Sequence, residues 1–244
     1  MSQVTYIRYE LVRTFRNRRF FFFSVGFPLV LFFLIAGPNK NEADFQRSGL
    51  SAPLYYMVGL AAFGTMNAML SSGARIAGER AVGWNRQLRI TPLSTRTYFR
   101  AKVLTAYLMA SVTLVVLYLS GISLGVSLSA HEWVKMTFLL LVGLIPFAAM
   151  GILFGHLLTV DSIGPAMGGA TALLAFLGGV WFPITGGIMG KIAQALPSYW
   201  LVQASHVSLG GQGWSTTGWI VVAAWSAGAA LLAARAYRRD TKRV

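Results

Sequence analysis

The chain has 244 residues, of which 55% are hydrophobic and only 11% are charged, whereas a soluble globular domain carries about a quarter charged residues. The net charge of +14 would suit a nucleic-acid partner, but the basic residues lie between long apolar blocks, so we expect no nucleic acid. The absence of cysteine excludes disulfides and thiolate metal sites, and the composition predicts an all-α polytopic membrane protein.

Residues 1–19 precede the first apolar run and carry five arginines. Val4, Ile7, Leu11 and Phe15 fall on one face of a helix, which predicts an amphipathic helix on the inner membrane surface. Two roles remain open for this helix, anchoring to the membrane and contact with a partner.

Six apolar runs follow, and each predicts a membrane-spanning helix within one domain covering residues 20–236. Pro28 predicts a kink in the first span. The predicted spans are residues 20–37, 54–73, 103–128, 136–158, 165–182 and 216–236.

Small residues mark three of these spans. The third contains the pair Gly121/Gly125 and the fourth the pair Gly151/Gly155. Gly164, Gly168 and Gly169 begin the fifth span, which predicts close packing of this helix against another helix or a second copy of the chain.

Residues 183–213 form an irregular segment that is rich in glycine and proline and contains one charge, Lys191. A segment this apolar predicts short re-entrant or interfacial helices on the outer side rather than an aqueous loop. The chain ends in a basic tail, residues 237–244.

The distribution of basic residues predicts the orientation. The N-terminal segment, the loop between spans two and three, and the C-terminal end hold seventeen Lys and Arg, against four on the opposite side. Both termini are therefore expected in the cytoplasm.

Several kinds of chemistry are missing from the sequence. The predicted spans carry no Asp, Glu, Lys or Arg away from their ends, which argues against a channel or an ion-coupled transporter. The three histidines lack metal-ligand spacing, and a structural or interfacial role is expected for His156 rather than a proton relay.

No nucleotide-binding motif is present. The one Gly-Lys pair, Gly190-Lys191, does not fit a P-loop. The chain is therefore not expected to be an enzyme, and uphill transport would need energy from another polypeptide.

The loop of residues 75–102 is the one long polar segment between two spans, with seven Lys and Arg and one acid, Glu79. It reads Glu79-Arg80, then Gly83, Leu88 and Pro92-Leu93-Ser94, with Ser94 a suitable helix N-cap. This pattern resembles the signature between the second and third spans of ABC-2 type permeases. Similarity continues in the proline-containing first span, in Gly178–Pro183 and in Leu196–Trp200.

The resemblance is to short bacterial drug- and lipid-type exporter subunits of actinobacterial character. It implies two membrane subunits, identical or paralogous, that work with two ATPase subunits in the plasma membrane. No cofactor is expected in this chain, because Mg-ATP would bind the ATPase.

By the same resemblance, residues 79–93 form a coupling helix seated in a cleft of the ATPase. The expected contacts are charged at Glu79, Arg80, Arg86 and Arg89, apolar at Trp84, Leu88, Ile90 and Leu93, and shaped by Gly83 and Pro92. Two plainer interpretations stay open: the arginines only enforce topology, or Arg75 and Glu79 pair along one helix.

The family's first and fifth spans line the dimer interface and the substrate path. The aromatic residues there suit an apolar substrate, although contact with lipid would explain them equally. They are Phe27, Phe32, Phe33, Phe176 and Trp181.

The leading hypothesis is thus the membrane subunit of an ATP-driven exporter of amphipathic substrates, either drug- or antibiotic-like compounds or lipids. Export of a polysaccharide or a polymer-linked lipid is the alternative with the same fold. A membrane scaffold or sensor that transports nothing is the alternative from another class.

Overall fold

The computed structural model describes residues 3–84, 87, 94–184, 186–211 and 213–242, and all regular structure within these ranges is helical. The prediction of an all-α fold is confirmed. The α-helices are Gln3–Phe15 (α1), Arg18–Phe21 (α2), Phe27–Ala36 (α3), Ala52–Leu70 (α4), Ser72–Ala81 (α5), Thr95–Ser123 (α6), Ala130–Gly143 (α7), Ile145–Leu157 (α8), Val160–Leu177 (α9), Gly187–Gln194 (α10), Pro197–Gln203 (α11) and Thr216–Lys242 (α12).

Five helical stretches in the described ranges are long and apolar enough to cross a membrane. Four of the six predicted spans coincide with a stretch of their own, and the fourth predicted span corresponds to α7 and α8 together. The stretches are Arg18–Ala36, Thr95–Ser123, Ala130–Leu157, Val160–Leu177 and Thr216–Asp240. The second predicted span is α4, whose tyrosines and Asn67 make it less apolar, so the count of six spans stays a prediction.

Helix α4 lies at the centre of the molecule. Every residue of α4 except Phe63 and Asn67 is buried, and helices α3, α6, α8 and α9 pack around it. Because other helices cover it on all sides, α4 tolerates polar groups that a lipid-facing helix would not.

The first predicted span contains a π-helical turn, Phe22–Gly26, just before Pro28. Pro28 cannot donate to the carbonyl four residues earlier, that of Ser24. Thr113 of α6 donates its hydroxyl to this carbonyl at 3.2 Å. Gly64 of α4 leaves the room needed there, since a Cβ would lie 2.4 Å from the same oxygen.

Polar caps, rather than the ends of the apolar runs, fix where the helices begin. Helix α6 begins at Thr95, not near residue 103, because Ser94 Oγ accepts from the backbone N–H of Thr97 at 3.2 Å. The predicted cap at Ser94 is thus confirmed. Helices α7 and α9 likewise begin earlier than predicted, at capping boxes headed by Ser129 and Thr159.

Helix α5 packs tightly against α8 through three glycines. A Cβ on Gly73 would lie 2.3 Å from the carbonyl oxygen of Gly151, and one on Gly155 would lie 2.8 Å from that of Gly73. The pair Gly151/Gly155 therefore serves close helix packing, and it holds α5 against α8.

The irregular segment after α9 contains the expected short helices, α10 and α11. Helix α11 returns to the core, where Trp200 and Leu201 are buried against Gly218 and Gly143 respectively. Helix α10 exposes Ile188, Met189 and Ile192. Its placement at the outer membrane surface stays a prediction.

Candidate functional site

The predicted coupling loop is built largely from the ends of two helices. Its first residues belong to α5, and its last residues, from Thr95 on, belong to α6. Helix α6 has 29 residues and is about 44 Å long at 1.5 Å per residue. Since the hydrocarbon layer is about 30 Å thick, α6 is longer than a single span requires, and Tyr98 and Lys102 lie in its first turns.

Glu79 lies in a buried ion cluster between these helix ends. Lys102 Nζ is 2.5 Å from Glu79 Oε1 and 2.6 Å from Glu10 Oε1, and the Lys102 side chain is fully buried. Arg13 Nη1 also reaches Glu79 Oε1, at 2.8 Å, and the Tyr98 hydroxyl donates to Glu79 Oε2 at 2.7 Å. Each of the two buried carboxylates thus has a cationic partner inside the protein.

The cluster joins the N-terminal helix to the coupling loop. Glu10 and Thr14 lie on the buried face of α1, and Arg75 of α5 donates to the Thr14 hydroxyl. Arg75 Nη1 is 3.7 Å from Glu10 Oε1. The ion pair that sequence spacing suggested between Arg75 and Glu79 is therefore replaced by a contact between helices.

Burial shifts the pKa values of Arg75 and of Tyr6, which lies beside this cluster. It lowers the pKa of the Arg75 guanidinium, while the nearby carboxylates of Glu10 and Glu79 oppose that shift. It raises the pKa of the Tyr6 phenol, and the same two carboxylates raise it further. Tyr6 is therefore a neutral packing residue at neutral pH, and Arg75 keeps its charge because guanidinium stays protonated in proteins.

Arg80 belongs to a second polar group on the other side of α5. Its Nε is 2.7 Å from Asp240 Oδ2, and its Nη2 donates to Asp240 Oδ1 at 2.8 Å. The remaining nitrogen, Nη1, donates to the carbonyl of Gly155 at 2.9 Å. His156 is buried, with Nδ1 3.1 Å from Asp240 Oδ2, which agrees with the structural role expected for it.

The predicted contacts of Glu79 and Arg80 with a partner stay a prediction. Both side chains contact other helices of this chain, Glu79 through Lys102 and Arg80 through Asp240. Residues further along the loop would then make the charged contacts with a partner.

After α5 the chain turns at Val82–Trp84. Gly83 has φ +69° and open space around its Cβ position, while the Val82 and Trp84 side chains are exposed. The remaining predicted contacts lie outside the described residues: Arg86, Leu88, Arg89, Ile90, Pro92 and Leu93.

The predicted substrate-path aromatics separate into three groups. Phe27 and Trp181 are linked by Phe63 of α4, with ring centroids 6.0 and 5.7 Å apart. Phe33 and Phe176 are exposed on the surface of the chain. Phe32 is completely buried in the core, which counts against a place for it on an open path.

Sequence reasoning missed the inner partners of the loop: Glu10, Tyr98, Lys102 and Asp240. A usable signal existed, because the chain has only seven acids and three of them, Glu10, Glu79 and Asp240, stand alone among Lys and Arg. An isolated acid in a basic segment points to a specific ion pair.

Residues 4–209 match the family described as ABC-2 type transporter. The chain belongs to this family. A relative from Bacillus subtilis (strain 168), named "Putative transport permease YvfS", is 28% identical over 194 residues, which is 78% of each chain.

Membership in the ABC-2 family makes this chain a transmembrane permease of an ABC transporter. An ABC ATPase is then the general partner of such a subunit. The matched residues run from α1 past α11 and include the cluster of Glu10, Glu79 and Lys102, whereas Asp240 of the second polar group lies beyond them.

Proposed function

We propose that the chain is the membrane subunit of an ATP-driven exporter in a bacterial plasma membrane, with both termini in the cytoplasm. The exposed part of the coupling loop would receive the movement of two ATPase subunits. ATP hydrolysis takes place on those subunits, and this chain supplies the path.

One observation supports this mechanism above the others. Helix α5, which leads into the coupling loop, and helix α6, which follows it, are tied to each other and to α1 by the cluster of Glu10, Glu79 and Lys102. A push on the loop would therefore move α1, α5 and α6 together, because separating them would leave charges buried without partners. Helix α6 would carry this movement across the membrane.

An amphipathic substrate, drug-like or lipid, fits the residues at the predicted path. Phe27, Phe63 and Trp181 form a line of aromatic rings between the first span, α4 and the end of the fifth span. Such rings bind apolar groups by area rather than by hydrogen bonds. The direction of transport follows the family resemblance.

A second permease copy, identical or paralogous, would cover helix α9. Among the described residues, no atom lies within 4 Å of the Cβ positions of Gly164, Gly168 and Gly169, and Phe176 is exposed on the same helix. Small residues with open space at their Cβ positions are suited to close approach by another helix.

The test is to purify the tagged chain from its native membrane and to identify bound proteins by mass spectrometry. We expect an ABC ATPase in stoichiometric amount. Trp84→Asp, which alters the exposed turn and spares the ion cluster, should release it. Ile188→Asp, an equally polar change on exposed helix α10, should not.

Recovery of the chain alone in several mild detergents would contradict the proposal and favour the scaffold or sensor. Release of the ATPase by both substitutions would show that the Trp84 effect is not specific to the coupling loop.

A further inference from the structure

The C-terminal end of α12 reaches the coupling loop through one acidic side chain. Asp240 is the last of the seven acids and stands among basic residues. Both of its carboxylate oxygens meet the guanidinium of Arg80, at 2.7 and 2.8 Å. Nη2 donates a hydrogen bond to Oδ1, while Nε lies at ion-pair distance from Oδ2 without donating to it, so the carboxylate holds the guanidinium at two points.

Held by Asp240, Arg80 also caps helix α8. Its Nη1 donates to the carbonyl of Gly155 at 2.9 Å and to that of Leu158 at 3.3 Å. The last carbonyls of a helix have no partners within the helix, and the partial negative charge there favours a cation. Arg80 therefore links α5, α8 and α12 at one point, three residues before Gly83.

The same end of α12 also contacts the start of α6. The hydroxyl groups of Tyr237 and Thr95 are 3.0 Å apart, and the Tyr237 ring packs edge-on against Phe99, with centroids 5.1 Å apart. His156 lies beside Tyr237 and holds Asp240 from the far side. One turn of α12 thus touches both helices that flank the coupling loop.

We propose that the C-terminal end of α12 is a clamp on the coupling loop, and that Asp240 is its positioning residue. The carboxylate orients Arg80, which in turn holds the end of α5 and the turn at Gly83 in the conformation that the ATPase binds. This clamp rests on the proposed function of residues 75–102.

Replacement of Asp240 by asparagine keeps the shape of the side chain and removes its charge. Arg80 then lacks its counter-ion, and the last turn of α5 is free to open. The amides of Val82 and Gly83, which donate to the carbonyls of Gly78 and Arg80, report this opening by hydrogen exchange.

The experiment compares Asp240→Asn, Asp240→Glu and the control Glu42→Gln, a neutralised acid on the exposed loop before α4. Exchange is measured on the purified chain, and ATPase retained per permease is measured by mass spectrometry. We expect Asp240→Asn to speed exchange at residues 78–84 by roughly tenfold and to weaken ATPase retention by a similar factor. Asp240→Glu should restore most of the slow exchange and most of the ATPase retention. The melting temperature should change little.

Exchange in Asp240→Asn equal to that of Glu42→Gln would overturn the clamp. Faster exchange with full ATPase retention would overturn the positioning role. A wild-type chain that retains no ATPase would refute the proposed function and the positioning role with it, while exchange would still report whether α12 holds α5. If Asp240→Asn does not fold, Tyr237→Phe, which removes only the hydroxyl at Thr95, should give the same two effects in smaller measure, and no effect would overturn the clamp.

Discussion

Lys102 is a buried cation with two anionic partners, Glu10 and Glu79, which come from helices far apart in sequence. Its ammonium nitrogen Nζ lies over the Tyr98 ring, 5.2 Å from the ring centroid. The side chain joins three helices at one point, so its loss should destabilise α1 and α5 as well as α6.

Lys102→Met is expected to lower the free energy of unfolding by about 3–5 kcal/mol, because both buried carboxylates lose a counter-ion. Thermal unfolding of the detergent-solubilised protein measures this change. Lys191→Met, on the exposed surface of α10, is the matched control and should leave the melting temperature unchanged. Equal melting temperatures for the two variants would show that the cluster contributes nothing to stability.

Glycine is required at position 83 because of its backbone conformation, and not because a side chain would lack space. Its φ of +69° is strained for a β-branched residue by about 1–2 kcal/mol, and no atom of the residues that the structure describes lies within 4 Å of its Cβ position. Gly83→Val should therefore distort the turn and reduce ATPase retention. Gly78, on α5 before this turn, also has open space around its Cβ position among the described residues and is the control.

Gly78→Val should retain the ATPase, because Gly78 has an ordinary helical backbone. Co-purification of the two variants side by side provides the measurement. Full retention with Gly83→Val would remove the turn from the coupling apparatus.

At the scale of elements, the position of α5 depends on glycines in a neighbouring helix. A Cβ on Gly151 would lie 2.5 Å from the carbonyl oxygen of Met69, at the junction of α4 and α5. Backbone on both sides of the contact cannot move aside as a flexible side chain could, so a larger residue must displace the helix.

Gly151→Leu is expected to destabilise the protein by about 1–3 kcal/mol through overpacking and to shift α5 away from α8. Gly228→Leu on α12 makes the same chemical change where no atom of the described residues lies within 4 Å of the Cβ position, and it should leave the melting temperature as in wild type. Thermal unfolding measures both. A wild-type melting temperature for Gly151→Leu would mean that α5 and α8 are not in close contact.

At the scale of the whole molecule, the two polar groups and the coupling loop lie at one end of the bundle. Helix α10, which exposes Ile188, follows the C-terminal end of α9 at the opposite end of the bundle. The basic residues concentrate at the first end, which should therefore face the cytoplasm.

Single cysteines test this orientation cleanly because the chain has none of its own. Val82 is 75% exposed in the coupling loop, and Ile188 is 81% exposed on α10. In intact cells, Val82→Cys should react only with membrane-permeant maleimides, and Ile188→Cys should also react with impermeant ones. The reverse pattern would invert the predicted topology.

Much of the architecture follows from the sequence. Long apolar runs with few charges can only be stabilised as helices in a lipid environment, and the basic segments between them predict where the loops lie. The signature at Glu79–Ser94 indicated the coupling loop and the family, because the spacing of these residues is a local property of the chain.

The helix ends and the role of the loop's charges were decided by tertiary structure. Hydropathy places Lys102 and Tyr98 in a loop, whereas the cap at Ser94 extends α6 and turns both side chains toward α1 and α5. In the sequence, Glu79 and Arg80 resemble charges that contact a partner at the surface. Only folding brings Lys102 to Glu79 and the distant Asp240 to Arg80. Ion pairs between residues 23 and 160 positions apart depend on how the helices pack, and no local pattern specifies that packing.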